Sequence, residues 1–328
     1  MILQPSNLED LKKTLADAIS RGEKVDGIKL SAFHRVLEYA PEDMTVTVET
    51  GITLAALQAE LAKRGQWLPI DPSRPEHLAI GALLANNESG PRRFGYGTIR
   101  EHLIGIKVML ADGRVVAGGG KVVKNVAGYD LCKLFIGSRG ALGVIIEATF
   151  KLRPLPESEK FVQMECESAE KSGSFLDAVF ESDLAPVVLD LHNLSHPNSQ
   201  HSALSTQHST TITMVIGFAG AREDVEWQLA RAGELGANQP SSLDHDARFW
   251  ADKNAGSLRK LSVAPSGVAG AVALLGNAPF VARAGNGVIW HRGGPESPKA
   301  DLPLNLIRRV KDAFDPMRVF NTFETSRE

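Results

Sequence analysis

Apolar residues recur at helical spacing near the start of the chain, at Leu8, Leu11, Leu15 and Ile19. They follow a Ser6–Glu9 capping-box pattern and precede Gly22, so a first helix is predicted there. The period then shortens. Val36 to Tyr39 and Met44 to Glu49 read as strands around the Pro41-Glu42-Asp43 turn, with Val46 and Val48 alternating against Thr45, Thr47 and Glu49. Thr53 can cap a second helix bearing Leu54, Leu57 and Leu61, closed by Gly65. A glycine-dense tract runs from Gly81 to Gly143. Inside it Ile104 to Leu110 and Arg114 to Ala117 flank Ala111-Asp112-Gly113, a hairpin signal.

The strand Val144 to Leu152 leads into Arg153-Pro154-Leu155-Pro156, which reads as a domain boundary. Beyond it, strands are predicted at Phe161 to Cys166, Val187 to Leu191 and Thr211 to Phe218, and helices at Phe175 to Phe180 and Asp224 to Leu235. That alternation fits a sheet covered by helices on one face. His196 to Thr210 is polar and reads as a loop. Leu306, Val310 and Phe314 make a helical stripe before Asp315-Pro316.

The length of 328 residues favours two domains over one. A formal charge of -3 gives no reason to expect nucleic acid. With only 2 cysteines, Cys132 and Cys166, the chain carries no disulfide framework and cannot hold an iron–sulfur cluster by itself, which suits a reducing cytoplasm. No signal peptide or membrane-spanning run is read, so membrane contact is expected only through partners.

Three segments carry candidate chemistry. They are Leu68-Pro69-Ile70-Asp71-Pro72-Ser73; Ile80 to Arg93 with Tyr96-Gly97 and Ile99-Arg100-Glu101; and Lys124 to Leu131 continuing through Gly137 to Ile145. A dinucleotide needs backbone N–H groups close to its pyrophosphate, and only glycine or small residues permit that approach. Ala82, Ala85 and Ser89 keep such a wall thin, and Asn86 and Asn87 offer polar edges. The glycines are not spaced as G-x-G-x-x-G after a strand, so a Rossmann nicotinamide site is poorly supported. Gly118-Gly119-Gly120-Lys121 lacks the second half of a phosphate loop.

Together these segments resemble the PCMH-type, vanillyl-alcohol-oxidase-like FAD domain, over roughly Leu30 to Pro156. The resemblance implies an α+β fold, a two-subdomain PCMH-type FAD-binding domain followed by an antiparallel-sheet cap domain. It divides the chain into an FAD domain at 1–156, a cap or substrate domain at 157–300, and a C-terminal helix at 301–328 returning to the first domain. The implied cofactor-binding residues are Asp71, Pro72 and Ser73 beside the flavin; Ile80, Gly81, Asn87, Ser89, Gly90, Arg93 and Gly97 around flavin and pyrophosphate; and Gly143 and Ile145 at the adenosine end. Ser89-Gly90-Pro91-Arg92-Arg93, Lys124 to Leu131 and the Phe314 to Asn321 segment look most like the smaller FAD-binding subunit of bacterial glycolate oxidases. That implies oxidation of a small 2-hydroxy acid to a 2-oxo acid in a cytoplasmic complex with a larger flavoprotein subunit and an iron–sulfur subunit, peripheral at the inner face of the membrane. No side chain is singled out as a general base.

Two departures from the family pattern stand out. Arg21 to Ile28 replaces a glycine-rich pyrophosphate turn with fewer residues, which gives the alternative of a non-catalytic subunit that has lost its flavin. Arg283-Ala284-Gly285-Asn286-Gly287 has the turn around which catalytic relatives place histidines, without the first histidine, so no metal site is expected. Plainer readings compete throughout. Gly81 to Gly90 can be a helix packed tightly on a sheet, and Asn125 and Tyr129 can close a turn. Arg92, Arg93 and Arg100 can be surface cations, with Arg93 the first candidate for a role beside flavin. His77, His102, His196, His201 and His208 read as structural or solvated, and Cys132 as a core thiol.

Overall fold

The computed structural model describes residues 1–120, 131–194, 211–252, 256–296 and 302–321. Lys124 to Asp130 of the third segment, and His196, His201 and His208, lie outside the described residues. The chain divides into two compact units. One comprises Met1–Ser89, Thr98–Leu155 and Asp301–Glu328, the other Gly90–Gly97 and Pro156–Ala300.

In the first unit the opening helix is Leu8–Arg21, and its N-cap is Asn7 rather than Ser6. The Asn7 side chain accepts the Asp10 N–H at 2.9 Å, while the Ser6 N–H and hydroxyl both donate to the Asp10 carboxylate, at 2.8 and 3.0 Å. The N-cap therefore lies one residue further along, and the Asp10 carboxylate reaches back past it to Ser6. Gly22 closes the helix at φ 63°. Thr53 caps the helix Leu54–Ala62 as its position predicts.

Five antiparallel strands form the sheet of this unit, in the order Val36–Ala40, Thr45–Glu49, Val144–Lys151, Leu103–Met109, Val115–Gly119. Its two faces meet two apolar clusters, and an irregularity opposite Lys107 and Val108 interrupts the alternation along Val144–Lys151. Ile145, Ala148 and Phe150 join Leu54, Leu57, Leu61 and Phe135, whereas Val144 and Ile146 join Leu11, Leu15 and Ala18. The helix Leu304–Phe314 adds Val310 and Phe314 to the first cluster, with the Phe314 ring edge-on to Phe135 at 5.5 Å.

A buried ion pair anchors that C-terminal helix. Lys311 Nζ donates to Asp315 Oδ2 at 2.6 Å and to the carbonyls of Ala141 and Phe320 at 2.6 and 3.0 Å. Asp315 in turn accepts the N–H groups of Val319 and Phe320, each at 2.9 Å.

The second unit is built on a seven-stranded antiparallel sheet ordered Gln239–Pro240, Ser158–Cys166, Ile212–Gly220, Val188–His192, Phe280–Arg283, Val288–Arg292, Leu258–Ser262. Leu189, Leu191, Met214, Ile216, Ala282 and Ile289 pack with residues of three helices, Ala169–Glu181, Arg222–Glu234 and Val268–Leu275. The opposite face is not bare, as one-sided covering would leave it. The helix Asp244–Ala251 lies there, because Asp190 and Arg283, alternating with those apolar residues, find His245 and Asp246 on it. Sequence periodicity missed that helix, since its inward residues are mostly polar.

Candidate functional site

Thr50, fully buried, joins two parts of the glycine-dense tract. Its N–H donates to the Ile146 carbonyl at 3.1 Å, its hydroxyl donates to the Ile145 carbonyl, and its own carbonyl accepts the Gly81 N–H at 2.7 Å. Ile80 donates to the Ile52 carbonyl at 2.9 Å. These bonds fix the start of the helix Ile80–Asn86 against the sheet. Ile80, Leu83 and Leu84 bury the inner side of the helix, while Ala82 and Asn86 are exposed and Gly81 and Ala85 half-exposed. A helix with so little side chain on its outer face can be approached closely by a ligand.

The loop after Phe135 packs along the same helix. Gly137 donates to the Leu84 carbonyl at 3.0 Å and Arg139 to that of Ala85 at 2.8 Å. Gly137 and Gly140 have φ of 75° and 74°, and a side chain at Gly140 would meet nothing within 4 Å. Between them the Ser138 hydroxyl is buried without a hydrogen-bond partner. A buried hydroxyl without a partner costs about 1–3 kcal/mol, so it asks for an external acceptor or donor. An open turn of two left-handed glycines around an orphan hydroxyl, beside a helix of small residues, fits a dinucleotide's polar chain.

Other glycines of the tract are small for internal reasons. A Cβ on Gly143 would stand 2.7 Å from Val108 Cγ1, and one on Gly81 would stand 3.3 Å from Thr50. Their backbone groups remain candidates for cofactor contact, but their lack of a side chain is set by this chain's own packing.

The implied cofactor residues divide between the two units. Asp71, Pro72, Ser73, Ile80, Gly81, Asn87, Ser89, Gly143 and Ile145 belong to the first, and Gly90, Arg93 and Gly97 to the second. Gly81 and Ile145 are brought together through Thr50, and Asn87, a left-handed C-cap at φ 51°, lies beside Gly137. Pro72 is buried between half-buried Asp71 and Ser73. In the second unit Gly90 is buried, Arg93 opens the short helix Arg93–Tyr96, and Gly97, at φ 82°, closes it. Thr50 and Ser138 went unnoticed as site residues. Ser138 had a signal available, a hydroxyl between two turn glycines; Thr50 had none.

The shortened segment after the first helix is also committed elsewhere. Val25 donates to the Val319 carbonyl at 2.8 Å and Gly27–Ile28 pairs with Ile2–Leu3, so this stretch forms no glycine-rich turn. Arg92 is spent structurally. Its guanidinium holds Glu159 bidentately, at 2.7 and 2.6 Å. Arg100 and His77 are exposed, His102 and Cys132 buried. Burial pushes the Cys166 thiol pKa up.

In the second unit Arg283 opens the Ala284–Asn286 turn, and it is buried among carboxylates. It donates to Asp190 at 2.5 Å and to Asp246, while His245 Nε2 bonds Asp190 Oδ2 at 2.9 Å. His192 stacks on His245 at 4.8 Å. Asp190 Oδ1 and His245 Nδ1 are buried without partners. Asp190 within Val187 to Leu191 was the sequence signal for this network, a lone charge inside an apolar strand.

Among known families, residues 18–119 match the model described as an FAD binding domain. The Bacillus subtilis glycolate oxidase subunit GlcD is 34% identical over 59% of this chain and 42% of its own length. The Escherichia coli glycolate oxidase subunit GlcE is 36% identical over 40% of this chain and 38% of its own. The mitochondrial D-lactate dehydrogenase [cytochrome] of Arabidopsis thaliana is 41% identical over 40% of this chain and 23% of its own. The chain thus spans about two fifths or less of these relatives' length. Among solved structures, an alkyldihydroxyacetonephosphate synthase superposes with a TM-score of 0.71 over 97% of this chain and 76% of its own, at 16% identity, which establishes the fold. Among the described residues no helix is long and apolar enough to cross a membrane.

Proposed function

We propose that this chain, whose residues 18–119 match an FAD binding domain, is an FAD-binding subunit of a glycolate oxidase-like complex. It takes part in oxidising a small 2-hydroxy acid to its 2-oxo acid, alongside a larger flavoprotein subunit and an iron–sulfur subunit that receives the electrons. The reading places it in the cytoplasm, with any contact at the inner face of the membrane made by those partners. Its first unit is the FAD domain and its second the cap.

The observation that carries this is the orphan Ser138 hydroxyl in the open Gly137–Gly140 turn, within a unit of FAD binding type. FAD held there would supply the two-electron acceptor. The chain's own residues do the holding. Ser138 gives a hydrogen bond to the cofactor's polar chain, Gly137 and Gly140 let main chain approach, and Gly81, Ala82 and Ala85 keep the neighbouring wall thin. Ile80 and Gly81, fastened through Ile52 and Thr50, keep that wall rigid, and a preorganised wall lowers the ordering needed on binding.

The test is expression with and without glycolate oxidase-type partner subunits, then release and identification of bound flavin and assay of glycolate-dependent dye reduction. FAD in this chain and dye reduction that requires it support the proposal. A colourless chain that still assembles would overturn it in favour of the non-catalytic alternative, for which the committed Arg21 to Ile28 segment speaks.

A further inference from the structure

The second unit contains a cavity of about 240 Å³ that the FAD reading does not use. It is lined by Leu194, Phe249, Pro279, Arg248, Arg292 and Asp252. Arg292 sits at the end of the strand Val288–Arg292, on the sheet face that the helix Asp244–Ala251 covers, and is only 8% exposed. Its Nε donates to the Phe249 carbonyl at 3.3 Å, and its guanidinium carbon lies 5.2 Å from the centre of the Phe249 ring. Those two contacts fix the plane of the guanidinium. Its two terminal amino groups donate to none of the described residues. The donors of an oriented fork thus line a cavity without an acceptor among the described residues.

We propose that this cavity is a binding site for a small organic carboxylate. The guanidinium fork matches a planar carboxylate in two parallel hydrogen bonds. Arg248 and the exposed Asp252 also line the cavity, beside the Arg292 fork. Leu194, Pro279 and Phe249 give the remainder of the cavity an apolar lining suited to a short hydrocarbon tail. The volume lies below the roughly 300–1,000 Å³ of drug-sized sites, so the occupant has only a few carbon atoms. The proposal does not depend on flavin binding.

Propionate is the probe, because it has the carboxylate and a short tail but no hydroxyl for a flavin to oxidise. Titration calorimetry on the full chain is expected to show propionate binding and none for propionamide, its neutral counterpart. Arg292→Met is expected to weaken propionate at least tenfold, with Arg292→Lys between the two. Should Arg292→Met fail to fold, Leu194→Trp fills the cavity from its apolar side with the arginine kept, and is expected to abolish binding. Equal binding of propionate by wild type and the folded variants would overturn the proposal. So would equal binding of propionamide, or tighter binding of inorganic phosphate than of propionate. Propionate binding by a flavin-free preparation would leave this site standing whichever way the flavin and dye-reduction test of the oxidase reading falls.

Discussion

Replacing Lys311 with methionine keeps the length of the side chain and removes its charge. In the native protein the three ammonium protons are matched by Asp315, Ala141 and Phe320 at 2.6, 2.6 and 3.0 Å, and the Asp315 side chain is fully buried. Removing one partner of a buried ion pair costs about 3–5 kcal/mol, because the other charge is left in a poor solvent. Here Asp315 keeps the Val319 and Phe320 N–H groups, which themselves stabilise a carboxylate, so the lower end of that range, about 3 kcal/mol, is expected. At 1.36 kcal/mol per decade, this is a loss of about 100-fold or more in hydrogen-exchange protection. The loss should be confined to peptides of the first unit, 304–321 and 137–146, since the freed Ala141 carbonyl borders the Ser138 turn. Adding Asp315→Asn should recover part of it, as the neutral amide tolerates burial without a cation. Protection reduced less than fivefold in Lys311→Met would show that this ion pair does not fasten the C-terminal helix to the loop.

Three further outcomes follow from the geometry. Ser138→Ala should weaken FAD by roughly 2–10-fold, one net hydrogen bond, while leaving the melting temperature of flavin-free protein unchanged or higher; a lowered melting temperature with unaltered FAD affinity would make the hydroxyl merely structural. Arg283→Met should lower the stability of the second unit by about 3–5 kcal/mol in urea, because Asp190 and Asp246 lose their buried cation, and an unchanged midpoint would contradict the network. The Glu49 carboxyl is held below its ordinary value by hydrogen bonds from the Arg35 guanidinium and N–H. The folded value being the lower one, its stabilisation is present above the ordinary glutamate range and lost as pH falls through the folded value. Glu49→Gln should therefore flatten the acid limb of stability in the first unit and weaken it near neutrality; an identical acid limb would refute this.

Strands with one wet and one dry face were legible in the sequence, as with Val46 and Val48 against Thr45 and Thr47; so was the C-terminal helix, although of its predicted stripe only Val310 and Phe314 pack on the core and Leu306 is exposed. The second unit was less so. Phe280–Arg283 and Val288–Arg292 are short apolar runs that end in a buried arginine, where a charge ordinarily signals a solvated strand end. The charges are buried because His245, Asp246 and Phe249 arrive from a helix some 40 residues earlier in the chain, and that pairing is visible only in three dimensions. The cap of Leu8–Arg21 slipped by one residue for a local reason. The Asn7 side chain takes the Asp10 N–H, and the Asp10 carboxylate takes the Ser6 N–H and hydroxyl, so Ser6 serves as a donor to Asp10 and not as the cap.

The same distinction decides how much of the cofactor site was readable. A glycine in a sequence records that something stands close to the main chain, without saying what. At Gly143 the close object is Val108, at Gly81 it is Thr50, and at Gly51 it is the Leu30 carbonyl, so these three testify to packing. At Gly140 nothing stands within 4 Å, and at Gly137 only Asn87 Cβ comes near, at 3.6 Å. Both nevertheless hold left-handed conformations and enclose a hydroxyl that the protein leaves unsatisfied. Open space, glycine backbone and an unmet hydrogen bond coincide there, and packing alone supplies no reason for the third. The dense run of small residues that suggested a cofactor thus mixes two causes, and it is on the sparser turn from 137 to 140 that the proposed FAD contact rests.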